Sequence, residues 1–399
     1  MAIQPPNPAS KVRIDESPVV RARPRKSNSL LKFVMVLALL FVFLLGVNGL
    51  GEGFKALGGG ALDAFFAATE NPFMGLMVGI LATTLVQSSS VSTALIVGLV
   101  AAPLNPLPLV NAVPMIMGAN IGTTVTNTIV SMAHIGRDDE FERAFAVATC
   151  HDFFNFIAVA LLLPLELMTG VLSKSAAALA ARLGGVGGIQ YSSPLKGALK
   201  ATMTPVKDFL GSISGSERTA EILLIILSGI LIYAALMLLV RVMRSTVHNQ
   251  VEAIVSRGLE KAPLIGIIVG IVVTVMVQSS SITTSLLVPL AGAGLLTLAQ
   301  AFPITVGANI GTTVTALLAA LAATGPNAIL GLTIALVHFL FNIAATVIIF
   351  PVERIRNIPL RAARRLASVA VASRRWALLY VIILFYGVPA LFAFLNQVL

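Results

Sequence analysis

One stretch of this chain occurs twice. VGILATTLVQSSSVSTALIVGL from Val78 returns as VGIVVTVMVQSSSITTSLLVPL from Val269, so that Gln87 and Gln278 stand 191 residues apart. Two more motifs follow in the same order: GANIGTTVT at Gly118 recurs at Gly307, an offset of 189, and His-x-x-x-Asn at His151/Asn155 recurs at His338/Asn342, an offset of 187. Three ordered matches whose offset drifts by two describe a duplicated structural unit, not a compositional bias. What each unit can fold into depends on the solvent it was written for.

That solvent is lipid. Residues AVILMFWYC make up 57% of the 399 positions and DEKR only 11%, outside the range of ordinary soluble domains. Apolar runs of about 20 residues, enough to cross roughly 30 Å of hydrocarbon, begin at Leu30, Val110, Ala144, Ile222, Leu298, Ile329 and Trp376. Two more stretches, Pro72 to Pro103 and Pro263 to Gly294, are broken in the middle by polar residues and read as re-entrant hairpins. The expected count is seven crossings and two hairpins. Each repeat then holds an anchor helix, a hairpin and two further helices. Three crossings per unit is odd, so the second copy enters the membrane upside down, the inverted-topology arrangement that puts a substrate site where the repeats meet near the midplane. The fold class expected is an all-α integral membrane protein of two inverted-topology repeats with one C-terminal helix.

The boundaries follow. Residues 1–29 form a basic, Pro-rich tail expected to be disordered and cytoplasmic; 30–169 are repeat 1, with its hairpin at 72–103; 170–219 are an extracellular linker rich in Gly, Ser, Ala and Lys. Residues 220–350 are repeat 2, with its hairpin at 263–294; 351–375 are a cytoplasmic basic segment, and 376–399 a C-terminal transmembrane helix. The run at Leu30 is too long for a signal-peptide core and lacks a small-residue cleavage site, so it reads as a retained anchor. Alternating sides at each crossing puts the tail, His134 to Arg143, Arg241 to Lys261 and Val352 to Arg375 on one side, with seven Arg between Arg354 and Arg375. This is the positive-inside pattern, and it accounts for a net charge of +10 without nucleic acid. Cys150 is alone, which rules out an internal disulfide, and no Asn-x-Ser/Thr sequon occurs, in keeping with a bacterial plasma membrane.

Gln87-Ser88-Ser89-Ser90 and Gln278-Ser279-Ser280-Ser281 lie near the centres of the two broken stretches. Unwound backbone at membrane depth is tolerated only where it lines a cavity or is buried in protein. If each hairpin turns here, a second arm starts at the motif, and its N-terminal amides and Ser hydroxyls form a donor cradle for an anion. The competing reading is that small Ser side chains let helices pack closely. Asn120, Thr123, Asn309 and Thr312 belong to the GANIGTT pair; glycines that loosen a helix would free carbonyls beside these oxygens, a neutral shell suited to an alkali cation. The two Gly flanking each Asn can instead make a packing groove. Asp152 is an acidic residue well inside a predicted crossing and so a functional candidate, with Asn155 three residues on along the same face. It either stabilises a cation or is protonated and structural. His151 and His338 each share a face with an Asn and read as hydrogen-bonding anchors more readily than as metal ligands or proton relays.

No Walker loop, dinucleotide fingerprint, nucleophile elbow or zinc-ligand spacing occurs, and His151 and Asp152 diverge by about 100° around a helix, so no triad forms with either serine cluster. The chain reads as neither an enzyme nor an ATP-driven pump.

Paired QSSS segments, each followed by GANIGTT, with HDFFN at His151 and PLE at Pro164 after the first, resemble the type II sodium-phosphate cotransporters over nearly everything from about residue 30 to 397. The resemblance implies that Gln87, Ser88, Ser89, Ser90 and Gln278, Ser279, Ser280, Ser281 surround phosphate. It implies sodium at Thr312 and Thr315, and a further sodium at Asp152 and Asn155 in electrogenic members, which carry Ala at positions matching Ala146 and Ala148. Three departures stand out. Ala119 and Ala308 replace a Ser found in some members; His134 and Arg137 occupy the places of a polar residue and a carboxylate; the linker lacks the cysteines of animal members.

The physics points to the same coupling. Neither half offers Lys or Arg at the depth of the motifs, so a doubly charged phosphate would meet neutral donors and one carboxylate, a costly burial without co-bound cations. Sodium is therefore expected as a co-transported ligand, with no other cofactor, in an electrogenic sodium-phosphate symport by alternating access. The alternatives are symport of another oxyanion such as sulfate or arsenate, a channel, or a phosphate-responsive sensor.

Overall fold

A computed structural model describes residues 29–57, 69–103, 106–185, 194–258, 263–323 and 325–398, and every regular element among them is helical. The basic tail expected to be disordered lies outside the described residues up to position 28. Repeat 1 comprises α1 (Ser29–Leu57), α2 (Pro72–Val86), α3 (Ser89–Val100), α4 (Leu109–Thr123), α5 (Val125–Ser131) and α6 (Asp138–Thr169). After α7 (Val171–Gly185) and α8 (Pro194–Ile213) come α9 (Glu217–Gly258), α10 (Pro263–Val277), α11 (Ser280–Gly292), α12 (Leu298–Ala322) and α13 (Ala328–Ile349). The chain ends in α14 (Glu353–Ala372), α15 (Arg374–Val381), a π-helical turn (Ile382–Gly387) and α16 (Val388–Val398).

Among the described residues six helices are long and apolar enough to cross a membrane: Leu30–Leu50, Asp138–Thr169, Glu217–Ala235, Leu298–Ala322, Ala328–Ile349 and Arg374–Phe392. The seventh expected crossing, from Val110, is instead divided at Thr124 between α4 and α5. The cause is local. Thr124 N–H bonds the carbonyl of Ile121, three residues back, and the Asn120 carbonyl accepts from Asn155 Nδ2 of α6 at 3.1 Å. A side chain inserted into the ladder interrupts the helix there. The expected Gly/Ser-rich linker is also not an open loop: α7 and α8 occupy most of it, the Gly170 that separates α7 from α6 having a left-handed φ of 64°. Ala-rich composition and amphipathic spacing outweigh the Gly and Ser content. Likewise the basic segment after Pro351 is the amphipathic helix α14, which lies along α6; Arg374 completes that contact by pairing with Asp138 and stacking over Phe141 at 4.5 Å.

Equivalent parts of the repeats pack in equivalent ways. The anchor helices α1 and α9 run against each other, with Gly46, Gly49 and Gly53 letting α1 approach Ile232, Ser228 and Ile225. α2 packs on α4 and α10 on α12 through glycine pairs. A Cβ on Gly79 or Gly118 would stand 2.1 Å from the carbonyl of Met115 or Leu76; on Gly270 or Gly307 it would stand 2.1 and 2.0 Å from those of Ile304 and Ile267. This is the small-residue contact by which helices associate where lipid removes the usual hydrophobic drive. The glycines of GANIG therefore serve close packing. The expectation that they loosen the helix fails in repeat 2, where α12 runs without a break from Leu298 to Ala322. Large apolar side chains such as Ile226, Ile230, Ile268, Val272 and Ile382 remain exposed, giving an outer surface suited to lipid.

Candidate functional site

Both QSSS motifs fall at helix breaks. α2 ends at Gln87 (φ 54°) and α10 at Gln278 (φ 56°), both in the left-handed region. Each is followed by a Ser in extended conformation that caps the next helix: Ser88 Oγ accepts from Val91 N–H and Ser279 Oγ from Ile282 N–H, both at 3.4 Å. A left-handed residue followed by a Ser N-cap is an economical helix break, or tip, since the cap stabilises the new helix by about 1 kcal/mol. The N-terminal ends of α3 and α11 thus both start at the tips, and the amides and dipoles there favour negative charge. Ser89, Ser90 and Ser280 are buried; Ser88, Ser279 and Ser281 are half-buried, and Gln87 is exposed.

The two tips meet. Ser90 Oγ donates to the Gln278 carbonyl and approaches Thr315 Oγ1, both at 3.4 Å, and Thr315 Oγ1 donates to Gln278 Oε1 at 3.0 Å. Beside them is a cavity of about 350 Å³ whose polar lining is Gln87, Ser88, Gln278, Ser279, Ser281, Ser285 and Thr126, with Leu85, Val86, Ile282, and Tyr233 and Met237 of α9 completing it. Its described lining contains no Lys, Arg, Asp or Glu. A larger cleft of about 610 Å³ lies elsewhere, between α8 and α9 around Lys207 and Glu217, and contains none of the repeated motifs.

Under the tips runs a buried polar layer. Asn309 Nδ2 donates to Asn155 Oδ1 (2.8 Å) and Asn309 Oδ1 pairs with His151 Nε2 (2.6 Å). Because Asn127 Nδ2 faces His151 Nδ1 at 3.3 Å, that ring nitrogen accepts and Nε2 carries the proton. Asn342 Nδ2 reaches Asn120 Oδ1 at 3.3 Å. Thr123 and Thr312 donate their hydroxyl hydrogens to their own helices, at the Ala119 and Ala308 carbonyls (2.8 and 3.0 Å). Each such hydroxyl therefore presents only lone pairs to anything else.

Asp152 is buried, but its partner is not Asn155. Tyr380 of α15 donates to Asp152 Oδ2 at 2.6 Å, and Asp152 Oδ1 is buried without a hydrogen-bond partner in the protein. Asn155 binds instead to Asn120 and Asn309. Sequence reasoning missed Tyr380, Asn127, Thr126, Thr284 and Ser285. Asn127 Oδ1 accepts from Thr284 (2.9 Å) and Ser285 (3.1 Å) and so joins α5 to α11 across the repeats. Its equivalent in repeat 2 is Ala316, so a search for repeated motifs passes over it; Tyr380 lies outside both repeats. His134 and Arg137 meet Glu140, and Arg143 bonds the Ala291 and Gly292 carbonyls (2.7 Å to Gly292), capping the C-terminal end of α11.

The family model for the Na+/Pi-cotransporter matches residues 42–187 and 230–359, which takes in both QSSS segments, both GANIGTT segments and the His/Asn pairs. Among curated proteins, the chain is 30% identical over 445 residues to sodium-dependent phosphate transport protein 2B of Homo sapiens, covering 90% of this chain and 64% of the relative. It is 34% identical over 432 residues to sodium-dependent phosphate transport protein 2A of Rattus norvegicus, covering 91% and 67%. The 2A protein of Ovis aries is 33% identical over 449 residues, 95% and 70% of the two chains. The chain thus spans just under two thirds of the length of the 2B relatives. No solved structure matches it.

Proposed function

This chain belongs to the Na+/Pi-cotransporter family, and we propose that it carries inorganic phosphate across a membrane together with sodium. The observation that carries this reading is the cavity at the meeting point of the QSSS tips, whose polar groups are hydroxyls and amides set in apolar walls and whose described lining is free of charged side chains. Donors of this kind suit a tetrahedral oxyanion. Without a basic residue, a divalent anion there is held only if cations enter with it. Gln87, Ser88, Gln278, Ser279 and Ser281, which line the cavity, and Ser89, Ser90 and Ser280, buried next to them in the chain, are proposed to hold the phosphate.

The sodium ions are assigned to the oxygens beneath. Thr123 and Thr312, whose hydrogens are already used, act as pure acceptors, and Asn120, Asn309 and Thr315 are proposed to add their side-chain oxygens. Asp152, with Asn155 one turn away, is proposed to hold an additional sodium, making the cycle electrogenic. Three sodium ions with one divalent phosphate carry one net positive charge.

The two structural units, 30–169 and 220–350, are proposed to be inverted repeats whose QSSS segments are re-entrant. With the N-terminus cytoplasmic, as the placement of Lys and Arg favours, the cavity faces the cytoplasm: Thr126 lies on the way from Asn120 to His134, and Ser285 on the way from the second tip to Gly292. Substrate and sodium load from the outer side, the units rock, and release follows inward.

The test is uptake of labelled phosphate into proteoliposomes under sodium, potassium or proton gradients in turn. Uptake driven by an inward sodium gradient is expected, whereas equal uptake in potassium medium would overturn the coupling. Competition by sulfate and arsenate in the same vesicles separates the neighbouring oxyanion symporters. Current without uptake would mark a channel, and binding without turnover a sensor.

A further inference from the structure

The repeats match in sequence and in helix packing but not in the side-chain hydrogen bonds around the QSSS segments. Residue for residue, Ser90, Thr315 and Gln278 correspond to Ser281, Thr126 and Gln87. The first set is closed: Ser90 reaches the Gln278 carbonyl and Thr315, and Thr315 donates to Gln278 Oε1. The second set lines the cavity, and Thr126 Oγ1 is buried with no hydrogen-bond partner in the protein. Ser285 lines the cavity too, while its equivalent Ala94 is fully buried on the closed side.

The layer below is asymmetric in the same sense. His151 Nε2 is bonded to Asn309 at 2.6 Å. The equivalent pair is His338 and Asn120, yet Asn120 Oδ1 is occupied by Asn342, and both ring nitrogens of the buried His338 have no partner in the protein. A buried polar group left unpaired costs free energy, so one conformation that strands these groups is balanced by another that satisfies them.

We propose that the transport cycle exchanges two latches for their twins. In the state described here the Ser90–Thr315–Gln278 and His151–Asn309 latches are made. In the opposite state they open, and Ser281–Thr126–Gln87 and His338–Asn120 close the other side. Thr126, on the wall of the proposed phosphate cavity, is thereby the inner-gate residue. The inference rests on the inverted-repeat, alternating-access reading above.

The experiment uses full-length protein with Cys150→Ala and the single reporter Ala94→Cys in membrane vesicles. It reads the rate of alkylation from the outer side by a membrane-impermeant maleimide, in potassium medium without sodium. Ala94→Cys reacts only when the outer side opens. Thr126→Val removes a contact of the outward-open state and should slow the reaction, while Thr315→Val removes a contact of the present state and should speed it. One neutral hydrogen bond corresponds to a change of about threefold to tenfold in each direction. Thr126→Ser, which keeps the hydroxyl, should stay near the parent rate. Ser285→Cys, probed from the cytoplasmic side, should slow as Ala94→Cys quickens, which keeps the test decisive if Ala94→Cys packs poorly. Changes of the same sign for the two Val variants, or none, overturn the latch exchange. Labelled phosphate uptake by the Cys150→Ala parent, with both threonines intact, separates the two ideas: opposite shifts in the Val variants with no sodium-dependent uptake by that parent would spare the latches and remove the phosphate reading.

Discussion

Substituting Gly307 with Ala tests how the site is held in place. The new Cβ would stand 2.0 Å from the Ile267 carbonyl oxygen, where ordinary contact begins at 3.4 Å. That oxygen is part of the α10 backbone and cannot swing aside as a side chain can. α12 therefore has to move away from α10 by about 1.4 Å or bend, and overpacking of this kind costs about 1–3 kcal/mol or more. The same displacement separates Thr315 from Gln278 Oε1, now 3.0 Å apart, and a donor–acceptor distance lengthened by an ångström is no longer a hydrogen bond. Two results are expected: a fall of several degrees in the apparent melting point of detergent-purified protein, and a loss of phosphate uptake by at least about tenfold. Gly229→Ala on α9 is the control, because its Cβ would meet nothing within 4 Å. If Gly307→Ala melted and transported like the parent, the glycine contact between these helices would not be setting the geometry of the tips.

Ser89→Ala or Ser280→Ala removes a hydroxyl beside the proposed phosphate. The expected loss is about 1.5–3 kcal/mol, read as a roughly tenfold to hundredfold rise in the apparent phosphate constant with unchanged melting behaviour; unchanged affinity in both variants would return the tips to a packing role. Asp152→Gly should retain labelled phosphate uptake but lose the associated current, measured together in one preparation; unchanged charge per phosphate would remove Asp152 from the coupling.

Where the sequence carried a repeated signal, it located the elements well. Both helix breaks fall at the QSSS motifs because a run of four polar residues cannot be hidden on one helical face in lipid, and doubling the signal removed the coincidence. The division of α4 from α5 was not legible, because it depends on Asn155, a residue 35 positions away from the carbonyl it takes. The helices between the repeats were obscured by their Gly and Ser content, although the Ala and Leu that drive α7 were in plain view. Tyr380 against Asp152 could not have been anticipated, since it is a single long-range contact made by a helix with no copy. The GANIG glycines were legible as special but ambiguous in purpose: only the 2.0–2.1 Å approaches separate close packing from a loosened helix.

Gln87 and Gln278 are the only non-glycine residues at positive φ among those described. A side chain in that conformation costs about 1 kcal/mol relative to glycine, and glycine is plentiful in this chain, with 32 residues. Bending the backbone therefore does not explain the choice of glutamine; the amide group does. Durability and turnover are accordingly set against each other at these two positions. Gln87→Gly should resist heat slightly better than the parent while moving phosphate more slowly, a split visible by pairing thermal unfolding with uptake, and one that a glutamine serving merely as a turn residue would not produce.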